Sequence, residues 1–380
     1  MRILIVPAVD WFTAFENRVH HLARAWRRNH DLHVVHFPLG GEPLRVNEGD
    51  TIHRLYNAKS RSLLTYYLVN FIPQMVQILR IIRRERIELV MTTGLSAGTA
   101  AIIVSRISRT PVIFDYCDYL PAFSRYAGAT GIVEGFLRWV GEVLTVFNLR
   151  IADASVAIGE RLRRHSQPRS TIFHEIPNGV DKNRFDEPGS WEPGQFPVLG
   201  YVGVLEFFVD LESAIDCLLK LPGSRLVIVG DGREKQRLEE YALSRGLDQR
   251  VEFVGRVPYE QIGRWISAMD ICLLPFESSE LTEAALPLKI HEYSALHRPI
   301  VSSPLFEVVR MYGSLLSLAS GTDEISKQVE AIMDQRSDTL RRVHRAYLRA
   351  TGTYNWDRFG SRYEKVFLRA AGKSGEEGPE

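Results

Sequence analysis

From Arg2 the chain reads RILIVPAV, a short unbroken apolar run, and then FENRVHHLARAWRRN, where apolar positions return every three or four residues. The first pattern is that of a strand buried on both faces, the second that of an amphipathic helix. The alternation continues through DLHVVHFP, a helical segment from Leu63 to Arg84, IELVMTTG, a small-residue helix from Leu95 to Ile107, PVIFDYC, a helical region near Val133–Leu149, and ASVAIG. Strand and helix in that rhythm predict a parallel sheet covered on both faces.

The rhythm breaks at IPNGVDKNRFDEPGSWEPGQFP, residues 176–197, which is rich in turn and linker residues. It then restarts: VLGYVGVL, a helix at Leu211–Lys220, SRLVIVGDG, a helix at Glu234–Arg245, RVEFVGRV, a helix at Tyr259–Ala268, DICLLPF, a helix holding Glu292, and PIVSS. The fold class read from this is α/β, with two Rossmann-like parallel-sheet domains, 1–175 and 198–355, and a linker at 176–197. A further helix is expected at about 356–370, and a disordered tail at 371–380. Two such domains would leave a cleft where the C-terminal strand ends face each other, which is where open α/β sheets bind ligands.

Composition narrows the class. At 380 residues, 45% hydrophobic and 24% charged, the chain has the make-up of a soluble globular protein with two cores. Its three cysteines lie far apart, which argues against a disulfide framework or a zinc site and fits a reducing compartment. MRILIVPAVD opens directly as a strand, without the successive regions of a signal peptide, so a cytoplasmic location is expected. Residues 1–180 carry 22 Lys and Arg against 15 Asp and Glu, and the remainder 25 against 31. The basic half would face something anionic, unless the imbalance merely decorates solvated surfaces.

Most catalytic signatures are absent: no Asp-x-Asp, no His-Glu-x-x-His, no Gly-x-Ser-x-Gly. GKS at 372–374 follows no strand, and VGDGREK lacks the third glycine of a dinucleotide fingerprint. No metal is expected, and no nucleic-acid partner. Gly203, directly after a strand, would let backbone N–H groups approach a phosphate. In ALPLKIHEYSALHRPIVSS, Lys289 and Glu292 stand three apart on a helix that begins near Pro287. The positive dipole end of a helix is a poor place for lysine unless an anion binds there. The plain alternative is a solvent-facing ion pair.

IPNGVDKNRF, the stretch LVIVGDGREKQRLEEYALSRGLDQRVEFVGRVPYEQIGRWISAMDICLLPF, PLKIHEYSALHRPIVSS and YNWDRFGSRYEKVF together resemble glycosyltransferase family 4, of GT-B architecture, over about residues 176–368. The first half is similar more loosely, in its opening strand, NRVHHLARAW and ADASVAIGERLRRHS. The resemblance implies a nucleotide-sugar donor, UDP rather than GDP, in the second domain. It makes Glu292 the second Glu of a Glu-x7-Glu motif contacting the ribose, and puts the backbone at Arg256 and Val257 against the base. It also implies retention of configuration, and a last helix that crosses back onto the first domain. Two departures mark a divergent sub-group: Val204 and Asp210 stand where the family carries arginine and lysine, and Ala284 where the first Glu belongs, with Glu283 one place off. Lys289, and Arg18 from the first domain, are the substitute phosphate ligands; Glu283 is the candidate donor-sugar contact.

Sugar transfer needs the leaving diphosphate neutralised and the acceptor hydroxyl placed at the anomeric carbon; inversion also needs a base. Asp115 and Asp118, at the end of PVIFDYCDYLPAF, are the candidates, with Asp118 as base or acceptor contact and helix capping as the alternative. The carboxylates leave the stereochemical course open. His20 and His21 face different sides of their helix and form no ligand set. Residues 58–88, with Arg61, Arg80, Arg83, Arg84 and Arg86, are too interrupted to span a bilayer but could lie on an anionic membrane surface, as could IVEGFLRWVGEVLTVFNLR. The expected function is transfer to a polysaccharide, glycolipid or lipid-linked acceptor. A nucleotide-sugar epimerase and a non-catalytic binding subunit are the competing readings.

Overall fold

The computed structural model describes residues 1–12, 16–37, 47–56, 58, 63–122, 130–170, 172–185 and 191–373. Linker residues 186–190, Arg61 and the tail from residue 374 lie outside them. The chain forms two compact units: Met1–Pro177 with Asp357–Glu380, and Asn178–Trp356.

The first unit is built on β1 (Arg2–Val6), α1 (Arg18–Trp26), β2 (Asp31–His36), β3 (Thr51–Arg54), α2 (Leu63–Arg84), β4 (Leu89–Thr92), α3 (Ser96–Ser108), β5 (Val112–Tyr116), α4 (Gly131–Ile151), β6 (Ala154–Ala157), α5 (Glu160–Ser166) and β7 (Phe173–Glu175). All seven strands run parallel, in the order β3-β2-β1-β4-β5-β6-β7. The order reverses between β1 and β4, so the β1 and β4 loops open at a topological switch point. Ile3, Leu4, Ile5 and Val6 are wholly buried, as an apolar run under helices on both faces requires.

The second unit holds β8 (Val198–Val202), α6 (Leu211–Asp216), β9 (Arg225–Val229), α7 (Lys235–Ser244), β10 (Val251–Gly255), α8 (Tyr259–Ser267), β11 (Ile271–Leu274), α9 (Glu280–Ala284), α10 (Leu288–Ala295), β12 (Ile300–Ser302), α11 (Phe306–Met311), β13 (Ser317–Leu318), α12 (Gly321–Asp334) and α13 (Arg336–Leu348). Its six strands are parallel in the order β10-β9-β8-β11-β12-β13, switching between β8 and β11. The loops after β8, β10 and β11 therefore open at the end of the sheet where a ligand is expected.

The last helix, α14 (Trp356–Ala370), covers the first unit. Tyr363 and Phe367, one turn apart, meet the buried Trp26 ring at centroid distances of 5.2 and 4.7 Å. Trp26 Nε1 donates to the Gly360 carbonyl at 3.3 Å, and a Cβ on Gly360 would lie 2.6 Å from Ala25 Cβ, so only glycine permits this approach.

The linker stretch carries structure of its own. Val180 pairs with Asn355 as a parallel bridge, with Val180 N–H donating to Tyr354 O at 2.9 Å and Trp356 N–H to Val180 O at 3.2 Å. Asp181 caps a 3-10 turn at Lys182–Arg184. Among the described residues no helix is long and apolar enough to cross a membrane.

Candidate functional site

In the second unit Pro287 sets the start of α10, which puts Lys289 in the first helical turn and Glu292 on the same face. Lys289 Nζ lies 2.5 Å from Glu292 Oε2, and Tyr259 Oη donates to Glu292 Oε1 at 2.9 Å. The ammonium also sits 5.5 Å from the Tyr259 ring centroid. The Glu292 side chain is 1% exposed and that of Lys289 19%, so the carboxylate is held inside while the cation reaches the surface. Tyr259 opens α8 immediately after Arg256, Val257 and Pro258, and its bond to Glu292 ties that loop to α10. Arg256 is exposed and Val257 half-buried. Nothing in local periodicity marked Tyr259; its position directly after the candidate base-contacting loop was the available signal.

The support behind α10 is largely apolar and is pinned by hydrogen bonds at three points. Tyr293 Oη accepts from Val202 N–H at 2.8 Å, fastening α10 to the end of β8. His291 Nδ1 meets Tyr312 Oη at 2.8 Å, and burial pushes its pKa down to about 3, so the ring is neutral. Asn178 Nδ2 donates to Leu286 O at 2.7 Å, fixing the turn before Pro287.

Gly203 serves a purpose other than the one its position suggested. Its N–H donates to Val229 O at 3.0 Å, and a Cβ there would fall 2.5 Å from Tyr201 Oη. Gly230, at φ +146°, would place a Cβ 1.8 Å from Gly203 O, so the loops after β8 and β9 interlock backbone to backbone. The N–H of Gly203 itself is therefore engaged within the unit. Asp210, where the resemblance puts a lysine, caps α6 by accepting from Ser213 N–H at 3.0 Å. Between them Glu206, which the motif reading passed over, has a buried Oε2 without a hydrogen-bond partner, and burial raises its pKa. Glu283 accepts from Ser278 Oγ at 2.7 Å and from Phe306 N–H at 2.8 Å, holding the N-terminus of α11.

In the first unit Asp115 is wholly buried rather than at the rim. It accepts from Arg18 Nε at 2.9 Å. Arg18 further donates to the carbonyls of Pro177 and Ile176 at 2.8 and 2.7 Å and to Tyr363 Oη at 3.4 Å. Burial opposes its charge, but Asp115 and Tyr363 overcome that and raise its pKa. The guanidinium expected to meet a phosphate is thus enclosed by four partners in its own unit. Asp118, in the loop after β5, is half-buried. Burial raises its carboxyl pKa and the Asp115 charge adds to this, while Cys117 Sγ at 3.6 Å opposes it. His20 belongs to the capping box of α1 with Asn17, a structural duty. Among the described residues no three His, Cys, Asp or Glu side chains converge as a metal site would require.

Residues 13–179 match the family model of the glycosyl transferase 4-like domain, and residues 197–335 that of the glycosyl transferases group 1. The chain therefore carries the two domains of a GT-B glycosyltransferase. A glycogen synthase of Mycobacterium tuberculosis is 25% identical over 214 residues, which are 54% of this chain and 50% of that protein. The chain spans half or less of the length of the first curated relatives it matches. Sucrose-phosphate synthase from Thermosynechococcus elongatus shares the fold at TM-score 0.82 and 14% identity, over 98% of this chain and all of that one (100%). Anabaena HepE in complex with UDP-glucose does so at TM-score 0.76 and 15% identity, over 97% and 100% of the two chains.

Proposed function

We propose that this chain transfers a sugar from a nucleoside diphosphate, UDP rather than GDP, to a hydroxyl of a glycan or lipid-linked glycan. The observation that carries this is the Lys289–Glu292–Tyr259 cluster at the start of α10. Glu292 would accept from ribose hydroxyls, while Lys289, displaced from it, turns to the diphosphate. The α10 N-terminus adds its positive dipole to that charge. Arg256 and Val257 would meet the base through their backbone, and the bound UDP-glucose of Anabaena HepE supports uracil as that base.

Gly203 contributes by allowing the β8 and β9 loops to close on each other, and Glu283 by fixing α11 beside the donor sugar. Asp118 is the acceptor-side base or contact: it stands in the loop after β5, and burial raises its carboxyl pKa from the ordinary value, which makes it a stronger base than an exposed aspartate. Arg18 and Asp115 act through the loop that carries Asp118. The resemblance implies retention, and the anomer of the product decides it.

The test is thermal unfolding with UDP, GDP and ADP, in wild type and Lys289→Ala. A nucleotide at a hundred times its dissociation constant adds about 2.7 kcal/mol to stability. UDP should do so in wild type and lose most of the effect in the variant. No shift with any nucleotide would overturn the donor assignment and leave the non-catalytic reading.

A further inference from the structure

The first unit exposes apolar side chains where the outer face of an α/β helix is ordinarily polar. On α4, Ile132, Phe136 and Trp139 are 93, 51 and 61% exposed, at helical spacings of four and three. The Phe136 and Trp139 rings lie 6.1 Å apart and form one surface. On α2, Ile72 and Val76 form a second exposed row. The same helical face continues as Arg80 and Arg83, both exposed. The helix α3 packs against both α2 and α4, so the two rows belong to one helical layer.

Charge identifies what this face fits. The helix α2 contains no acidic residue and ends in Arg83 and Arg84. On α4, Glu142 is paired with His165 Nε2 at 2.8 Å. An apolar ridge running into arginines matches the boundary of an anionic bilayer, where aromatic rings settle at headgroup depth and guanidinium groups meet lipid phosphates. A protein partner of matching shape would have to set carboxylates directly beside its own apolar face to meet the arginine row, whereas an anionic bilayer presents that layering throughout.

We propose that the α2–α4 face of the first unit seats on an anionic lipid surface. This goes beyond sugar transfer and stands whether or not the donor assignment holds. The test is co-sedimentation of the full chain with vesicles of phosphatidylcholine alone and of phosphatidylcholine with phosphatidylglycerol. Binding should require phosphatidylglycerol and weaken with added salt. Trp139→Glu should abolish it. Arg80→Gln with Arg83→Gln should lower it roughly thirtyfold, given a contribution of about 1 kcal/mol from each basic residue near a charged surface. All three positions are exposed, so unchanged thermal unfolding verifies that the variants fold. Three results would overturn the proposal: no binding, equal binding to neutral vesicles, or full binding by Trp139→Glu. A wild-type dimer that Phe136→Glu returns to monomer would likewise overturn it, by assigning the face to a second copy of the chain.

Discussion

Lys289 and Glu292 meet at 2.5 Å, and with Tyr259 on the other oxygen they leave neither oxygen of the Glu292 carboxylate without a donor. A ribose diol that binds Glu292 as proposed would compete with these donors for the carboxylate, the partly exposed lysine among them. The ammonium so released needs an anion.

Removing the lysine should therefore act oppositely on two ligands. In Lys289→Ala, UDP affinity should fall by roughly thirtyfold, the loss of a charge-assisted contact of about 2 kcal/mol. Uridine, which offers no anion, should bind as well as before or better. Isothermal titration of both ligands reads this directly. A parallel loss for uridine and UDP would mean that Lys289 only shapes the helix.

The Arg18–Asp115 pair predicts a stability effect. Leaving one charge of a buried pair alone costs about 3–5 kcal/mol. Arg18→Met should lower unfolding stability by that order in urea denaturation, and Asp115→Asn by less. The double variant should lie well short of the sum, because the two changes share one interaction. Additive losses would show that the groups stabilise the unit separately.

Asp118 predicts a pH–rate profile. Its carboxyl is pushed up from its ordinary value by burial, so its base form appears at higher pH than for an exposed aspartate, near 3.9. Transfer rate should rise with pH through that raised value, and Asp118→Asn should remove this limb along with about 2–4 orders of magnitude in rate. A limb that persists in Asp118→Asn would assign the titration to another group.

His291 predicts acid sensitivity. Its pKa is lowered to about 3 by burial, while an unfolded histidine titrates near 6.5. Between those values the unfolded chain binds the extra proton, so stability is intact above about pH 6.5 and declines as pH falls toward 3. At pH 5 the expected loss is about 2 kcal/mol. In His291→Phe the decline between pH 7 and 5 should flatten by that amount, although Tyr312 loses its partner and overall stability drops.

How much of this could be read beforehand follows from how local each signal is. The α2 bounds, Leu63–Arg84, are those that periodicity predicts, because a long amphipathic pattern carries many repeats. The strands β3, β7 and β13 were not legible: at four, three and two residues they hold too few positions for a pattern, and each lies at or beside a sheet edge. Lys289 and Glu292 were legible because i, i+3 spacing on a helix is itself a contact rule. The Tyr259–Glu292 bond, across 33 residues, and the Arg18–Asp115 pair, across 97, were not. Burial of Asp115 depends on α14 and the Ile176–Pro177 carbonyls closing around Arg18, which no local pattern encodes.

The return of α14 to the first unit has a consequence for the order in which the chain acquires its structure. Because α14 supplies Tyr363 and Phe367 to the first unit, that unit remains without its lid on Trp26 until the whole second unit has left the ribosome. The N-terminal half must wait, partly formed and with aromatic surface uncovered, while the inserted half completes itself. A released chain truncated after Trp356 would therefore hold a finished second unit and an unfinished first one, with the uncovered aromatic surface that chaperones bind.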